Sequence, residues 1–151
     1  MKIWIDADGC PIVNNAIKIA KKAGIQITVV KNHAIHIESD YAEVITVDIS
    51  SDSADYYIVN HLSPEDLVIT QDNGLAAMVL AKRGKCLNFN GRVIDGQNID
   101  FILDSRHHSR EARMKKQKGP KHKKRMPQDD LDFENALVAF ITAHKKTHFV
   151  I

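Results

Sequence analysis

Lys2-Ile-Trp-Ile-Asp-Ala-Asp-Gly-Cys-Pro11, followed by apolar positions at Ile12, Val13, Ala16, Ile17, Ala20 and Ala23, reads as strand, turn and helix in immediate succession. The first apolar run is too short for a helix, and the later positions recur at helical spacing. Pro11 suits a first helical turn, where its missing N–H would be unbonded in any case, and Gly24 suits the helix's C-terminal stop. Ile25–Val30 is rich in β-branched residues and predicts a second strand.

The same alternation continues. Glu43–Asp48 predicts a third strand, followed by a helix from Ser51 or Asp52 to about Leu62 that Ser63-Pro64 breaks. Asp66-Leu-Val-Ile-Thr70 predicts a fourth strand, Gln71-Asp-Asn-Gly74 a turn, Leu75–Arg83 a helix stopped by Gly84, and Cys86–Phe89 a fifth strand. Ile99, Phe101, Ile102 and Leu103 suggest a further helix. Phe133, Ala136, Leu137, Phe140, Ile141 and His144 predict a closing one, with Asp129, Asp130, Asp132 and Glu134 near its positive end. Strands alternating with helices imply right-handed parallel crossovers. The expected fold is α/β, a three-layer sandwich with a mainly parallel central sheet, which binds ligands at its strands' carboxyl ends.

At 151 residues the chain is long enough for one domain with a core and short for two, so a single domain over residues 1–151 is expected. Hydrophobic residues at 44% and charged residues at 26% exclude global disorder. No apolar stretch approaches the roughly 20 residues of a membrane span, and Met1-Lys2 leads into a strand rather than a signal peptide, so a cytoplasmic protein without a membrane partner is expected. Cys10 and Cys86 form neither a disulfide framework nor a Cys-x-x-Cys pair, which predicts reduced thiols.

The net charge of +2 hides a segregation. Ser105–Met126 holds ten of the 21 Lys and Arg residues and one acid, Glu111, giving +9 and leaving −7 for the rest. Arg106, Arg110, Arg113, Lys115, Lys116, Lys118, Lys121, Lys123, Lys124 and Arg125 thus make a basic loop or arm at about 105–126, interrupted by Gly119-Pro120. Such an arm neutralises phosphates and makes binding salt-dependent. It contains no Phe, Tyr or Trp to stack on bases, so capture without sequence discrimination is the expected role. A solvated loop that balances the acidic body is the alternative.

Acids cluster where a parallel sheet would bring them together. Asp6 and Asp8 follow the first strand, Asp72 lies two residues beyond the fourth, and Asp52 and Asp55 share a helical face. Carboxylates gathered at one sheet edge repel unless a cation sits among them, and oxygen donors suit Mg2+ or Mn2+. Phosphodiester hydrolysis fits that chemistry. Singly, each acid has a plainer reading: Asp52 as a helix cap and Asp72 as turn chemistry. Asp-x-Asp after a strand is also how haloacid-dehalogenase-like phosphatases present a nucleophile, here Asp6, and a general acid, here Asp8, although no later strand is followed by the acid pair they need.

Other candidates read as structure. His33 and His36 lack a second ligand pair at zinc spacing and predict a surface loop. Cys10 and Trp4 are expected to pack, and His107, His108 and His122 to extend the arm's charge below neutral pH.

Asp6-Ala-Asp-Gly-Cys-Pro11, Asp52-Ser-Ala-Asp55 with Ile58, and Asp66-Leu-Val-Ile-Thr-Gln-Asp72 with Leu75-Ala76 resemble the signature blocks of the bacterial YaiI/YqxD family. Leu87-Asn-Phe-Asn-Gly91 is similar to its Leu-Asn-Pro-Arg-Gly block, and Gly119-Pro120 followed by Asp130, Phe133 and Leu137 to its closing block. The resemblance implies a PIN-like fold, whose characterised relatives are mostly magnesium- or manganese-dependent ribonucleases. It implies Asp6, Asp55 and Asp72 as catalytic acids and metal ligands, with Thr70 as the supporting hydroxyl; Asp8 joins the catalytic and metal sets and Asp52 the metal set as family additions. Departures are Gly9 for Ala, Phe89-Asn90 for Pro-Arg, and the lysine-rich segment before the closing block. RNA is the favoured partner, with single-stranded DNA as a second candidate. A noncatalytic nucleic-acid-binding module would use the same arm without needing the acids.

Overall fold

The computed structural model describes residues 1–50, 53–104 and 124–149. Its elements run β1 (Ile3–Asp6), α1 (Val13–Ala23), β2 (Ile27–Asn32), β3 (Glu43–Val47), α2 (Ser53–His61), β4 (Leu67–Ile69), α3 (Asn73–Ala81), β5 (Lys85–Leu87), β6 (Val93–Ile94), α4 at residues 99–104, and α5 (Pro127–Phe149). The strands form one sheet in the order β3-β2-β1-β4-β5-β6. All neighbours are parallel except the β5–β6 pair. The sequence pattern misses β6, a two-residue strand too short to show alternation.

Crossover direction explains the layers. From β1 the chain steps outward to β2 and β3, then jumps back past β1 to β4 and proceeds the other way. Right-handed connections that run in opposite directions must lie on opposite faces. Accordingly, α1 packs on one face and α2 and α3 on the other, with α5 joining α1. Along β1 the alternation is visible: Ile3 and Ile5 meet Val13, Ala16, Ile17, Phe133 and Leu137, whereas Trp4 joins Ile58, Leu75 and Val79 on the far side. Both faces are covered, so the three-layer α/β expectation is met.

Boundaries shift by a few residues. α1 begins at Val13, with Pro11 just outside it, and ends at Gly24, whose φ of 69° is the left-handed stop the sequence implied. α3 begins two residues earlier than expected because Asp72 caps it. Gly91, at φ 86°, lies so close to α5 that a Cβ would stand 2.6 Å from the Asp132 carbonyl oxygen, so the turn between β5 and β6 requires glycine.

Candidate functional site

The reversal in strand order falls between β1 and β4, and ligands in open α/β sheets bind outside the carboxyl ends of the strands at such a point. Asp6 ends β1 there and is 8% exposed. The buried Thr70 hydroxyl, one residue past β4, donates to Asp6 Oδ2 at 2.9 Å and accepts the Asp72 N–H at 3.0 Å. Thr70 therefore joins the ends of the two strands that flank the reversal. Asp72 in turn caps α3, its Oδ1 accepting from the N–H groups of Gly74 (2.8 Å) and Leu75 (3.2 Å). Where the sequence suggested turn chemistry for Asp72, the structure makes it a helix cap, which is compatible with a site because the cap fixes its carboxylate at the crevice.

Asp6, Asp8, Asp55 and Asp72 line one crevice of about 90 Å3, several times the roughly 10–15 Å3 that one water needs. Asp48, beyond β3, lines it too. Its strand-end position is the signal that picked out Asp6, so it was legible and missed. Asp8 and Asp48 are exposed at the rim, and Asp55 and Asp72 are half-buried. Asn32 and Lys31 line the β2 side. Asp52 lies outside the described residues.

Electrostatics registers the convergence. Burial raises the Asp6 pKa above its ordinary 3.8, the Thr70 hydroxyl and the Asp8 N–H lower it, and the charges of Asp72 and Asp8 raise it again. Oxygen donors alone fill the acidic side of the crevice, the set a hard cation prefers. Among the described residues, however, no three His, Cys, Asp or Glu side chains stand close enough to hold one ion together. Acids so spaced would suit only an ion that keeps much of its water and meets several of them through it.

The remaining candidates separate cleanly. Trp4 is buried and its indole N–H donates to Asp66 Oδ2 at 3.1 Å. Cys10 is half-buried, and its thiol pKa is pushed up to about 11, chiefly by burial, so it is no thiolate nucleophile. His33 and His36 are exposed, the latter 3.2 Å from Glu38. Asp129 and Asp130 sit in the first turn of α5, where Asp129 accepts the Met126 N–H and Asp130 pairs with Arg125. The phosphatase reading needed an acid pair after a strand, and this pair caps and braces a helix.

Of the basic arm, Arg106, Arg110, Arg113, Lys115, Lys116, Lys118, Lys121 and Lys123 lie outside the described residues, and Lys124 is exposed. Arg125 is engaged in the fold. Its guanidinium donates to Asp130 Oδ1, Asn90 Oδ1 and the Phe89 carbonyl, each at 2.8 Å, tying α5 to the turn after β5.

Known proteins match this chain along nearly its full length. The sequence description of an uncharacterised bacterial family, YaiI/YqxD, matches residues 4–143. The chain belongs to that family. It is 46% identical to a UPF0178 protein of Alkaliphilus oremlandii over 93% of this chain and 91% of that one. A UPF0178 protein of Exiguobacterium sibiricum is 42% identical over 94% and 97%, and one of Natranaerobius thermophilus 40% over 97% and 100%. No solved structure matches. The Asp6, Asp72 and Gly91 blocks of this family member thus coincide with the strand reversal, the α3 cap and the turn against α5.

Proposed function

We propose that this family member is a divalent-metal-dependent nuclease that hydrolyses phosphodiester bonds, in RNA by preference, at the crevice between β1 and β4. The observation that carries the reading is the convergence of Asp6, Asp8, Asp48, Asp55 and Asp72 on one crevice at the strand reversal. Asp6, Asp8, Asp55 and Asp72 would hold Mg2+ or Mn2+, some of them through its bound waters. Thr70 keeps the Asp6 carboxylate oriented through its 2.9 Å hydrogen bond. A bound ion supplies Lewis acidity, toward water and toward phosphoryl oxygens. The half-buried Asp55 would accept the one proton that an attacking water gives up. The arm from Arg106 to Lys124 recruits the polyanion to a body whose own charge would repel it.

The likeness to PIN-like ribonucleases in the Asp6, Asp55 and Asp72 blocks supports this reading, as do free thiols, which fit a reducing cytosol. No helix among the described residues is long and apolar enough to cross a membrane. One observation favours a second reading, a nucleic-acid-binding module without turnover: among the described residues no three acids stand close enough to hold one ion together. Cleavage of end-labelled RNA and single-stranded DNA with Mg2+, Mn2+ or chelator separates the two. The nuclease reading predicts metal-dependent cleavage that Asp6→Asn abolishes. Equal cleavage by wild type and Asp6→Asn would expose a contaminant, and binding without cleavage would favour the second reading.

A further inference from the structure

The amino edge of the sheet, opposite the carboxylate crevice, carries a second concavity of about 430 Å3, within the range of small-ligand sites. Strand alternation builds its floor. Trp4 of β1, Thr28 of β2 and Glu43 of β3 stand in register across one row on the face that α2 covers, with Lys2 and Gln26 one step nearer the edge. Tyr57 and His61, from the later turns of α2, close it.

Three rings are fixed there. Tyr57 meets Trp4 edge-on with centroids 6.3 Å apart, and His61 stacks on Tyr57 at 4.0 Å. His61 Nδ1 lies 2.7 Å from the Tyr57 carbonyl oxygen, which only accepts, so Nδ1 carries the hydrogen and the ring is held although the residue is exposed. Lys2 Nζ stands 4.2 Å from the Trp4 ring centroid. The buried Asp66 carboxylate is already satisfied, accepting the Lys2 N–H, the Trp4 indole N–H and the Ser63 N–H, so its role is structural. Among the described residues the Lys2 ammonium, the Gln26 amide and the Glu43 carboxylate have no hydrogen-bond partner. The Thr28 hydroxyl, fully buried in register between Trp4 and Glu43, is unpaired as well.

This set of groups selects a ligand. A fixed stack of rings suits a flat π face. An ammonium on the β1 side and a carboxylate on β3, two strand spacings or roughly 10 Å apart at the backbone, suit acceptors on one edge of that ring and donors on another. Guanine has both: O6 and N7 accept from an ammonium, and the neighbouring N1–H and N2–H groups donate side by side to one carboxylate. Adenine and cytosine offer a carboxylate the amino group alone. We infer that this pocket binds an unpaired guanine base, stacked on the Tyr57–His61 pair, with Glu43 accepting from N1–H and N2–H and Lys2 donating to O6 or N7. The base must be unpaired because N1–H and N2–H are its Watson–Crick donors. The pocket supplies the base discrimination that the basic arm, which has no Phe, Tyr or Trp, lacks. It lies at the other edge of the sheet from the crevice and does not rest on the nuclease proposal.

Trp4 is the one tryptophan of the chain, so its fluorescence reports this pocket. Titration of the full chain with guanosine 5′-monophosphate in chelator should give a saturable change. Inosine 5′-monophosphate, which lacks the 2-amino group, and uridine 5′-monophosphate should bind about tenfold more weakly or worse. Glu43→Gln, at an exposed position, should abolish the preference for guanosine over inosine monophosphate with an unchanged melting temperature, and His61→Ala should weaken both nucleotides. Asp72→Asn should bind them as wild type does. An oligouridylate bearing one guanosine should compete with guanosine monophosphate where the base comes from a strand, and failure to compete assigns the pocket to the free nucleotide. No saturable response, equal affinity for the three nucleotides, or a guanosine preference undiminished in Glu43→Gln overturns the inference.

Discussion

Asp6 is the residue on which site and stability meet. Burial favours its protonated form, so between the ordinary 3.8 and its raised folded-state pKa the native chain binds more protons than the unfolded one. Stability therefore falls as pH rises through that window, and ionised Asp6 is a cost at neutral pH. Asp6→Asn removes the charge and leaves an acceptor for the Thr70 hydroxyl. It should raise the neutral-pH melting temperature in chelator by ~2–4 °C, about what 1 kcal/mol does in a chain this size. It should also flatten the acid-to-neutral decline in melting temperature; a lower melting temperature at neutral pH would mean that the carboxylate is stabilised by partners and needs no cation. Asp72 separates structure from function differently. Asparagine caps a helix as well as aspartate does, so Asp72→Asn should leave stability nearly intact, whereas Asp72→Ala should lose about 1 kcal/mol in urea unfolding. Most of this was legible in the residues, because a strand-ending acid is a strong signal in an alternating fold. Asp48 sent the same signal and went unread for want of a motif around it. The Thr70 hydrogen bond to Asp6 joins residues 64 positions apart, which no local pattern reveals.

Among elements, the turn between β5 and β6 and the start of α5 hold each other. Gly91 meets the Asp132 carbonyl, and Arg125 spreads its guanidinium over Phe89, Asn90 and Asp130. Gly91→Ala should cost at least about 1–2 kcal/mol from the left-handed backbone alone, with the 2.6 Å approach adding to it. Arg125→Ala should cost about 1.5–3 kcal/mol, and Arg125→Lys should recover little, since an ammonium cannot reproduce the planar fork. Urea denaturation measures both; a neutral Arg125→Ala would return the residue to the nucleic-acid arm. From sequence Arg125 is one more charge in a basic run. Only packing distinguishes a cation that braces the fold from those that solvate. The five longer strands and the flanking helices were readable from periodicity, while β6 and the precise helix starts depend on caps and pairings that periodicity does not encode.

The whole molecule is an acidic body with a concentrated basic segment, and that segregation is what nucleic-acid capture would use. Replacing Lys115, Lys116, Lys118 and Lys121 by Ser should weaken RNA binding and lower the slope of log K against log salt by up to about 0.7 for each lost phosphate contact. The variant should bind metal as before; an unchanged salt slope would reduce those lysines to solvated charge. Everything else rests on the crevice tolerating its own charge by taking up a cation. Titration of wild type and Asp72→Asn with Mn2+, followed by loss of the free-ion paramagnetic resonance signal, tests this without any substrate. Wild type should take up the ion saturably, and Asp72→Asn little or none at equal stability. Equal uptake by both, or none by either, would contradict it.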